Sequence, residues 1–252
     1  MGHEKTALVL SAGGMFGAYQ AGAWQELHGR FRPDLVVGAS IGSLNGWMIA
    51  GGITGDELAA RWLGFERVVR HRWRVPRLLP NGIIDPAHVG GWIRAIHAEF
   101  SPRTEYGLVT TSLPSLRPRL FRYPEVRYEH LACSCAVPLV LRQSRIETGV
   151  YCDGGIMIPL PLWAAVEMGA TRIVAVNLLP IRPPLIAAFA RALAWYCRWN
   201  QSLPSAIRLT EIAPRGRLGS IRDSMYWSRA NIERWIERGR TDARLAGENI
   251  SM

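Results

Sequence analysis

The pentapeptide Gly38-Ala39-Ser40-Ile41-Gly42 joins a short apolar run, residues 34–37, to a helix-like segment, residues 43–50. A serine between two glycines on a tight strand-to-helix turn is typical of a nucleophile elbow, in which the turn pushes the serine Oγ out of the backbone. The glycines allow the strand and the helix to pack closely beneath that serine. Ordinary glycine-rich turns carry the same G-x-S-x-G pattern, so the pentapeptide by itself leaves both interpretations open.

Length and composition limit the class of protein. The chain has 252 residues, of which 48% are hydrophobic, and this suits one large α/β domain over residues 1–252 better than two small domains. The formal net charge is +10, and Lys5 is the only lysine, so arginine carries almost all of the positive charge. This bias is typical of a GC-rich genome and suggests a bacterial source. Because the arginines are spread along the chain, we expect no nucleic-acid partner.

The cysteines and the apolar runs bear on the location of the protein. No zinc-ligand spacing relates the four cysteines, which are Cys133, Cys135, Cys152 and Cys197. We expect free thiols in a reducing cytosol, and a disulfide from Cys152 to Cys133 or Cys135 is the alternative. No apolar run reaches the roughly 18 residues that span a bilayer, and we expect no signal peptide. A cytoplasmic location follows, with peripheral membrane contact through the apolar residues 185–199 as an open alternative.

A second glycine-rich loop follows the first apolar run of the chain. Residues 7–10 predict a buried strand of a parallel sheet, residues 11–17 a loop, and residues 18–28 a helix. Backbone N–H groups at the start of a helix favour an anion. The loop lacks the Gly-Lys-Ser/Thr of a P-loop, and Ala12 stands at the first glycine of a dinucleotide fingerprint, so an oxyanion hole is the remaining use. Neighbouring parallel strands would bring this loop and the pentapeptide to the same sheet edge.

The rest of the chain alternates between strand-like and helix-like segments, which predicts an α/β fold with a mostly parallel sheet. We expect strands at residues 108–111, 119–122, 149–152, 172–176 and 207–212. We expect helices at residues 56–69, 85–100, 129–136, 161–168, 185–199 and 223–245, and an irregular segment at residues 70–81.

An activated serine needs a proton acceptor, and the histidines do not supply an obvious one. The chain contains His3, His28, His71, His88, His97 and His130. None of them follows Asp153, so the order Ser, acid, His of the α/β-hydrolases fails if Asp153 is the acid. A triad that uses His97 or His130 with an earlier carboxylate stays open, although both histidines lie in helix-like segments.

Asp153 stands at the end of a predicted strand and precedes Gly154 and Gly155. A carboxylate within hydrogen-bond reach of the Ser40 Oγ could take its proton directly, as the second member of a two-residue dyad. Because an ionised aspartate is a weak base near pH 7, such a dyad needs a partly desolvated site and strong oxyanion stabilisation. The alternative is an ordinary Asp-Gly-Gly turn.

The order of these three motifs resembles that of the patatin-like phospholipase family. The similarity extends to residues 13–22, to residues 132–138, which precede the aspartate, and to Pro161 with residues 164–169. It covers roughly residues 5–180, and the three motifs together are specific.

The resemblance implies a three-layer α/β/α fold with a central, mostly parallel sheet, and a Ser-Asp dyad that cleaves lipid acyl esters. Ser40 would be the nucleophile and Asp153 the proton acceptor. Backbone N–H groups around Gly13, Gly14 and Met15 would hold the oxyanion. The glycines that match the family motifs are Gly17, Gly38, Gly42, Gly154 and Gly155. The implied reaction passes through an acyl-enzyme that water cleaves, on a lipid or other acyl-ester substrate, without a metal or an organic cofactor.

Three residues depart from the family pattern. Ala12 replaces the usual first glycine, and Phe16 stands where many members have arginine, which removes a positive charge near the loop and indicates a neutral ester. Pro159 stands where asparagine is common, which predicts a differently shaped loop after Asp153. Two other interpretations stay open: a non-catalytic patatin-like module that binds lipid or a partner, and a nucleotide-binding oxidoreductase that uses residues 13–17.

Overall fold

The computed structural model describes residues 4–66, 86–137, 144–147, 149–181 and 203–247. The central element of the fold is an eight-stranded sheet. The strands are β1 (Thr6–Leu10), β2 (Leu35–Ala39), β3 (Glu105–Leu113), β4 (Pro118–Arg122), β5 (Ser144–Ile146), β6 (Gly149–Asp153), β7 (Arg172–Val176) and β8 (Arg208–Ile212). Helices of the described ranges are α1 (Gly17–Leu27), α2 (Ile41–Ala50), α3 (Gly55–Gly64), α4 (Pro86–Glu99), α5 (Tyr128–Ser134), α6 (Leu162–Glu167), α7 (Ile221–Met225) and α8 (Arg229–Gly247). A short 3-10 helix, Gly14–Phe16, precedes α1.

Five strands form the parallel part of the sheet, in the order β8, β7, β1, β2, β3. The remaining strands are antiparallel: β4 and β6 pair with β3, and β5 pairs with β6. β1 lies between β2 and β7, and its residues 7–10 are at most 1% exposed. A strand with neighbours on both edges and side chains packed on both faces can be apolar throughout, which explains the unbroken apolar run.

Helices cover both faces of the sheet, and the alternation of side chains along β1 separates two apolar clusters. Leu8 and Leu10 belong to a large cluster with residues of α1, α2 and α8. Ala7 and Val9 belong to a smaller one with Ala164 of α6. The sheet between these clusters confirms the predicted α/β class and the mostly parallel arrangement.

The predicted strands are confirmed to within a few residues at their ends, and the prediction for residues 172–176 has the observed bounds. β5 was not predicted, because three residues carry too little periodic pattern. The single helix predicted at residues 223–245 is wrong, since α7 and α8 are separate. Tyr226 has an extended backbone, with φ of −110° and ψ of 128°, and the Trp227 indole N–H donates to the Trp62 carbonyl at 3.2 Å.

Several sequence predictions concern residues outside the described ranges: the irregular segment at 70–81, the apolar helix at 185–199 and Cys197. Cys133, Cys135 and Cys152 form no disulfide with one another, as expected. Among the helices that the structure describes, none combines the length and the hydropathy needed to cross a bilayer.

α8 lies against α1 with very close backbone contact. A Cβ added at Gly22 would lie 1.8 Å from the carbonyl oxygen of Ile236, and one at Gly239 would lie 2.0 Å from that of Tyr19. The Tyr19 hydroxyl also donates to the Asp242 carboxylate at 2.8 Å. The packing of these two helices therefore depends on glycine at both positions.

Replacing Gly22 by alanine should destabilise the protein by about 1–3 kcal/mol, because the new methyl group must push α8 away from α1. Urea unfolding followed by circular dichroism measures this free energy. The control is Gly64→Ala. A Cβ added at Gly64 would have no described heavy atom within 4 Å apart from its chain neighbours and the backbone of its own helix. This change should therefore be neutral or stabilise the protein by up to about 1 kcal/mol. Equal unfolding midpoints for Gly22→Ala and the wild type would contradict the close helix contact.

Candidate active site

Ser40 occupies a sharp turn between β2 and α2. Its φ of 53° and ψ of −127° are strained for a residue with a side chain, and such strain is typical of a nucleophile elbow. The backbone N–H and the hydroxyl of Ser43 both donate to the Ser40 carbonyl, at 2.8 Å and 2.6 Å. These contacts hold the turn in the geometry that the pentapeptide predicts.

The two elbow glycines allow close packing beneath the turn. A Cβ added at Gly42 would lie 2.4 Å from the Leu10 carbonyl oxygen, at the end of β1. A Cβ added at Gly38 would lie 2.2 Å from the Gly42 carbonyl oxygen. Because β1 and β2 are parallel neighbours, their carboxyl ends lie side by side, and the loop that follows β1 reaches the same end of the sheet as Ser40, as the sequence predicts.

The strands that carry Ser40 and Asp153 lie on the same edge of β3. β2 pairs with β3 in parallel up to the pair Ala39–Val109, and β6 pairs with it antiparallel from the pair Thr110–Asp153. β4 overlaps both pairings and must occupy the other edge, because a strand has only two edges. β2 and β6 therefore meet end to end, and Ser40 comes next to Asp153 although they are more than a hundred residues apart in sequence.

Asp153 is almost completely enclosed, with 3% of its surface exposed. Its Oδ1 accepts a hydrogen bond from the Gly155 N–H at 2.6 Å, and its own N–H donates to the Ala136 carbonyl at 3.0 Å. Burial raises the pKa of the Asp153 carboxyl to about 6, although hydrogen bonding from the Ser40 hydroxyl and the Gly155 N–H acts in the opposite direction. A buried carboxylate of this kind is a stronger base than an exposed one.

The Ser40 hydroxyl lies close enough to the Asp153 carboxyl to lower its pKa. Oδ2 of Asp153 is buried and accepts no hydrogen bond from the described residues. Catalytic hydrogen bonds are often long or poorly aligned before a substrate binds. The arrangement thus leaves one carboxylate oxygen ready to accept a proton.

Ser134, at the end of α5, links the elbow to the sheet. Its fully buried hydroxyl accepts a hydrogen bond from the Ser40 N–H at 2.9 Å and donates to the Val109 carbonyl at 2.8 Å. Its carbonyl accepts from the Gly154 N–H at 3.4 Å. Sequence reasoning assigned no role to Ser134; the available signal was a serine among the small residues of the 132–138 block.

The loop after β1 passes through the 3-10 helix before α1 begins. The Ala12 N–H donates to the Pro159 carbonyl at 2.8 Å, and the Phe16 N–H donates to the Gly13 carbonyl at 3.2 Å. Between them, the N–H groups of residues 13–15 donate to no hydrogen bond within the described part of the chain. Adjacent unpaired donors at the start of a helix can bind a developing negative charge.

The same loop packs against residues that follow β7 and against α7. Gly14 has a φ of 59°, and a Cβ there would lie 2.2 Å from the Ser224 carbonyl oxygen. A Cβ at Gly13 would lie 2.7 Å from the Leu178 side chain. Gly13, Gly14 and Met15 are all half-buried, so the loop is packed on one side and partly exposed on the other.

Two of the three departures from the family pattern have structural explanations. A Cβ added at Gly155 would lie 2.1 Å from the Cβ of Ala12, so the alanine fills space that this glycine leaves. Phe16 points into the core, where its ring meets Trp235 edge to face at 4.9 Å. The backbone carbonyl of residue 159 accepts the hydrogen bond from the Ala12 N–H, and this joins the loop after Asp153 to the loop after β1, but nothing in the structure explains why residue 159 is proline.

The histidines whose side chains the structure describes have other contacts. His97 stacks on Trp47 at 4.9 Å, and His28 lies edge to face with Trp24. The Nδ1 of His130 accepts from the Arg127 N–H at 3.0 Å, and burial lowers the pKa of this imidazole. Within the described part of the chain, none of these three histidines forms a hydrogen bond with Ser40 or Asp153. The same part of the chain contains no group of three or more His, Cys, Asp or Glu side chains placed to hold a metal ion.

The fold and the elbow are those of an α/β protein built around a strand-turn-helix serine. The family model of patatin-like phospholipase matches residues 8–166, which is more than half of the chain. The chain therefore belongs to the patatin-like phospholipase family. Membership in this family supports a lipid acyl hydrolase in general and argues against a nucleotide-binding oxidoreductase. No curated protein matches the sequence.

Solved structures share the architecture at low sequence identity. VipD from Legionella pneumophila is 12% identical, with a TM-score of 0.55 over 98% of this chain and 67% of VipD. The type III effector protein ExoU is 12% identical, with a TM-score of 0.47 over 98% of this chain and 53% of ExoU. ExoU in its complex with SpcU, from Pseudomonas aeruginosa, is 13% identical, with a TM-score of 0.43 over 98% and 51%. The likeness to VipD shows the fold alone, and the chain spans about half the length of ExoU.

Replacing Asp153 by asparagine should stabilise the protein at pH 8. The folded-state pKa lies above that of an exposed aspartate, so the stability of the wild type falls as the pH rises from about 4 to about 6. At pH 8 the buried carboxylate costs on the order of 3 kcal/mol, which the neutral amide avoids.

Urea unfolding of Asp153→Asn and the wild type at pH 8 and pH 4 measures this difference, most of which should vanish at pH 4. Asp56→Asn makes the same change at an exposed aspartate outside the site and is the matched control. A variant no more stable than the wild type at pH 8 would mean that burial of Asp153 carries no cost.

Proposed function

We propose that the protein is a serine acyl hydrolase that cleaves lipid acyl esters with Ser40 as nucleophile and Asp153 as proton acceptor. The observation that carries this proposal is the meeting of β2 and β6 on one edge of β3. It brings a strained serine beside a buried carboxyl. The N–H groups of residues 13–15, which have no partner among the described residues, lie at the same end of the sheet, because β1 and β2 are parallel neighbours.

In the first half of the reaction, the Ser40 Oγ attacks the ester carbonyl carbon while its proton passes to Asp153. The carbonyl oxygen becomes negatively charged in the tetrahedral intermediate. The intermediate then expels the alcohol, which takes the proton from Asp153, and leaves an acyl-enzyme on Ser40. Water completes the cycle: it gives a proton to Asp153, attacks the acyl carbon and releases the carboxylic acid, and the proton returns to the Ser40 Oγ.

The N–H groups of Gly13, Gly14 and Met15 would stabilise the negative charge in both tetrahedral intermediates. Loss of one such donor typically costs about 2.7–4 kcal/mol of transition-state stabilisation. Donors fixed before the reaction need no reorganisation when the charge forms, which is why a supported backbone loop suits this role. The steps use only Ser40, Asp153, backbone donors and water.

The environment of Asp153 supports its role as base. Burial raises the pKa of the carboxyl to about 6, so the group is ionised at neutral pH and yet accepts a proton more readily than an exposed aspartate. The family often has arginine at the position of Phe16. In this chain Phe16 is uncharged and is buried against Trp235, so this position offers no positive charge to attract an anionic head group. We propose a neutral lipid or other acyl ester as the substrate class.

Ser40→Ala should abolish the hydrolysis of p-nitrophenyl butyrate, and Asp153→Asn should reduce kcat by at least about 10³-fold, because each removes one half of the proton transfer. Steady-state kinetics measures both. Matched controls are Ser101→Ala and Asp56→Asn, at exposed residues outside the site. Full activity in either site variant would contradict the assignment of Ser40 and Asp153 as a catalytic dyad. A wild type that neither turns over esters nor reacts at Ser40 with a fluorophosphonate would instead indicate a binding module.

The dependence of kcat/KM on pH should report the ionisation of Asp153. The ionised carboxylate is the active form, so kcat/KM should fall about tenfold per pH unit below about 6 and level off above it. Quantifying the released acid by chromatography avoids the pH dependence of p-nitrophenol absorbance. A histidine base would give a similar inflection, so His97→Gln and His130→Gln are the controls. Loss of the inflection in either of them would assign it to histidine rather than to Asp153.

A further inference from the structure

Two buried carboxamides connect the elbow helix to the loop after β1. Gln20 on α1 donates from Nε2 to the Ser11 carbonyl at 2.7 Å. Asn45 on α2 donates from Nδ2 to the Gln20 Oε1 at 2.9 Å and to the Gly17 carbonyl at 3.0 Å. The Trp62 indole N–H donates to the Asn45 Oδ1 at 3.2 Å. We call this chain of hydrogen bonds the amide network.

The members of the amide network are enclosed by the core. Gln20 is 0% exposed, Asn45 1% and Trp62 4%. Carboxamides in such places are costly unless their polar atoms are paired, and apolar side chains of similar size could fill the same volume without that demand. The network uses both oxygens and both amide nitrogens, so it holds a specific geometry that apolar packing would not impose.

The two backbone carbonyls that the network binds lie on either side of residues 13–15. Ser11 directly follows β1, and Gly17 is the first residue of α1. Asn45 lies on the helix that begins at Ile41, immediately after Ser40. The network therefore spans from the elbow helix to both ends of the loop that carries the N–H groups of residues 13–15.

Close packing surrounds the same contacts. A Cβ added at Gly17 would lie 2.6 Å from side-chain atoms of both Ile41 and Trp62. The Ser11 hydroxyl accepts a hydrogen bond from the Leu178 N–H at 2.8 Å. The amide network therefore holds both ends of the loop, and α1 packs directly against the start of α2.

We propose that Gln20 and Asn45 are positioning residues of the oxyanion hole. They set the distance and direction between the Ser40 Oγ and the N–H groups of residues 13–15 without touching the substrate. This inference rests on the proposed hydrolase function, and it assigns a role to side chains that neither the elbow nor the Asp153 motif includes.

The test compares Gln20→Met and Asn45→Asp with the wild type. Gln20→Met keeps the side-chain length but loses both hydrogen bonds. Asn45→Asp keeps the acceptor for Trp62 and replaces the Nδ2 donor with an oxygen, so at least one of the two hydrogen bonds that Nδ2 donates is lost. A displaced oxyanion hole should lower kcat on p-nitrophenyl butyrate by about 10- to 100-fold while KM changes less than about threefold. The inhibition constant of an alkylboronic acid, whose tetrahedral adduct fills the oxyanion hole, should rise in parallel with the loss of kcat/KM.

The matched control is Tyr19→Phe, on the same helix as Gln20. It removes a partly buried hydrogen bond to Asp242 on α8 and leaves the amide network intact. The control should lower the unfolding midpoint in urea and leave kcat within about twofold of the wild type. Equal losses of kcat in Tyr19→Phe and Gln20→Met would show a general effect of destabilisation and would overturn the positioning role.

Two further outcomes separate this inference from the proposed function. A wild type without turnover that depends on Ser40 would overturn both. Turnover that depends on Ser40, with wild-type kcat in folded Gln20→Met and Asn45→Asp, would overturn the positioning role alone. If the other variants fail to fold, Trp62→Phe provides the test, because it removes only the indole N–H that donates to Asn45. An unchanged kcat and an unchanged boronic acid affinity in this variant would then overturn the positioning role.

Discussion

β2 and β6 share one edge of β3 although they run in opposite directions, and the candidate site depends on the point where they meet. β2 stops at Ala39, opposite Val109, and β6 stops at Asp153, opposite Thr110. Each strand end therefore faces the other across the spacing of one residue on β3. A shift of either strand by one residue would turn its side chains to the other face of the sheet and separate Asp153 from Ser40.

The site is maintained at a cost in stability. Ser40 adopts a backbone conformation that is unfavourable for any residue with a side chain, and Asp153 is a carboxyl removed from water. Such features persist only where the surroundings determine them. Ser134 supplies part of that support, since its hydroxyl connects the strained turn to β3 and its carbonyl receives the Gly154 N–H.

Residues outside the matched segment 8–166 complete the support of the site. α7 contributes the Ser224 carbonyl, which lies against Gly14, and α8 contributes Trp235, which lies against Phe16. A family member with arginine at the position of Phe16 could not make this aromatic contact. The loop after β1 thus belongs to a core that extends well beyond the motifs, and the departures at Ala12 and Phe16 make sense only with their partners in view.

The sequence alone determined the α/β class and the elements that carry the motifs, because apolar runs such as residues 7–10 and the glycine pattern around Ser40 reflect local geometry. It also singled out Asp153, through its setting before two glycines and the order of the motifs. The break before α8, the burial of Asp153 and the amide network of Gln20 with Asn45 were decided only by the tertiary structure. Each depends on residues that are distant in sequence, and hydrogen bonds or desolvation between such residues leave no periodic pattern along the chain.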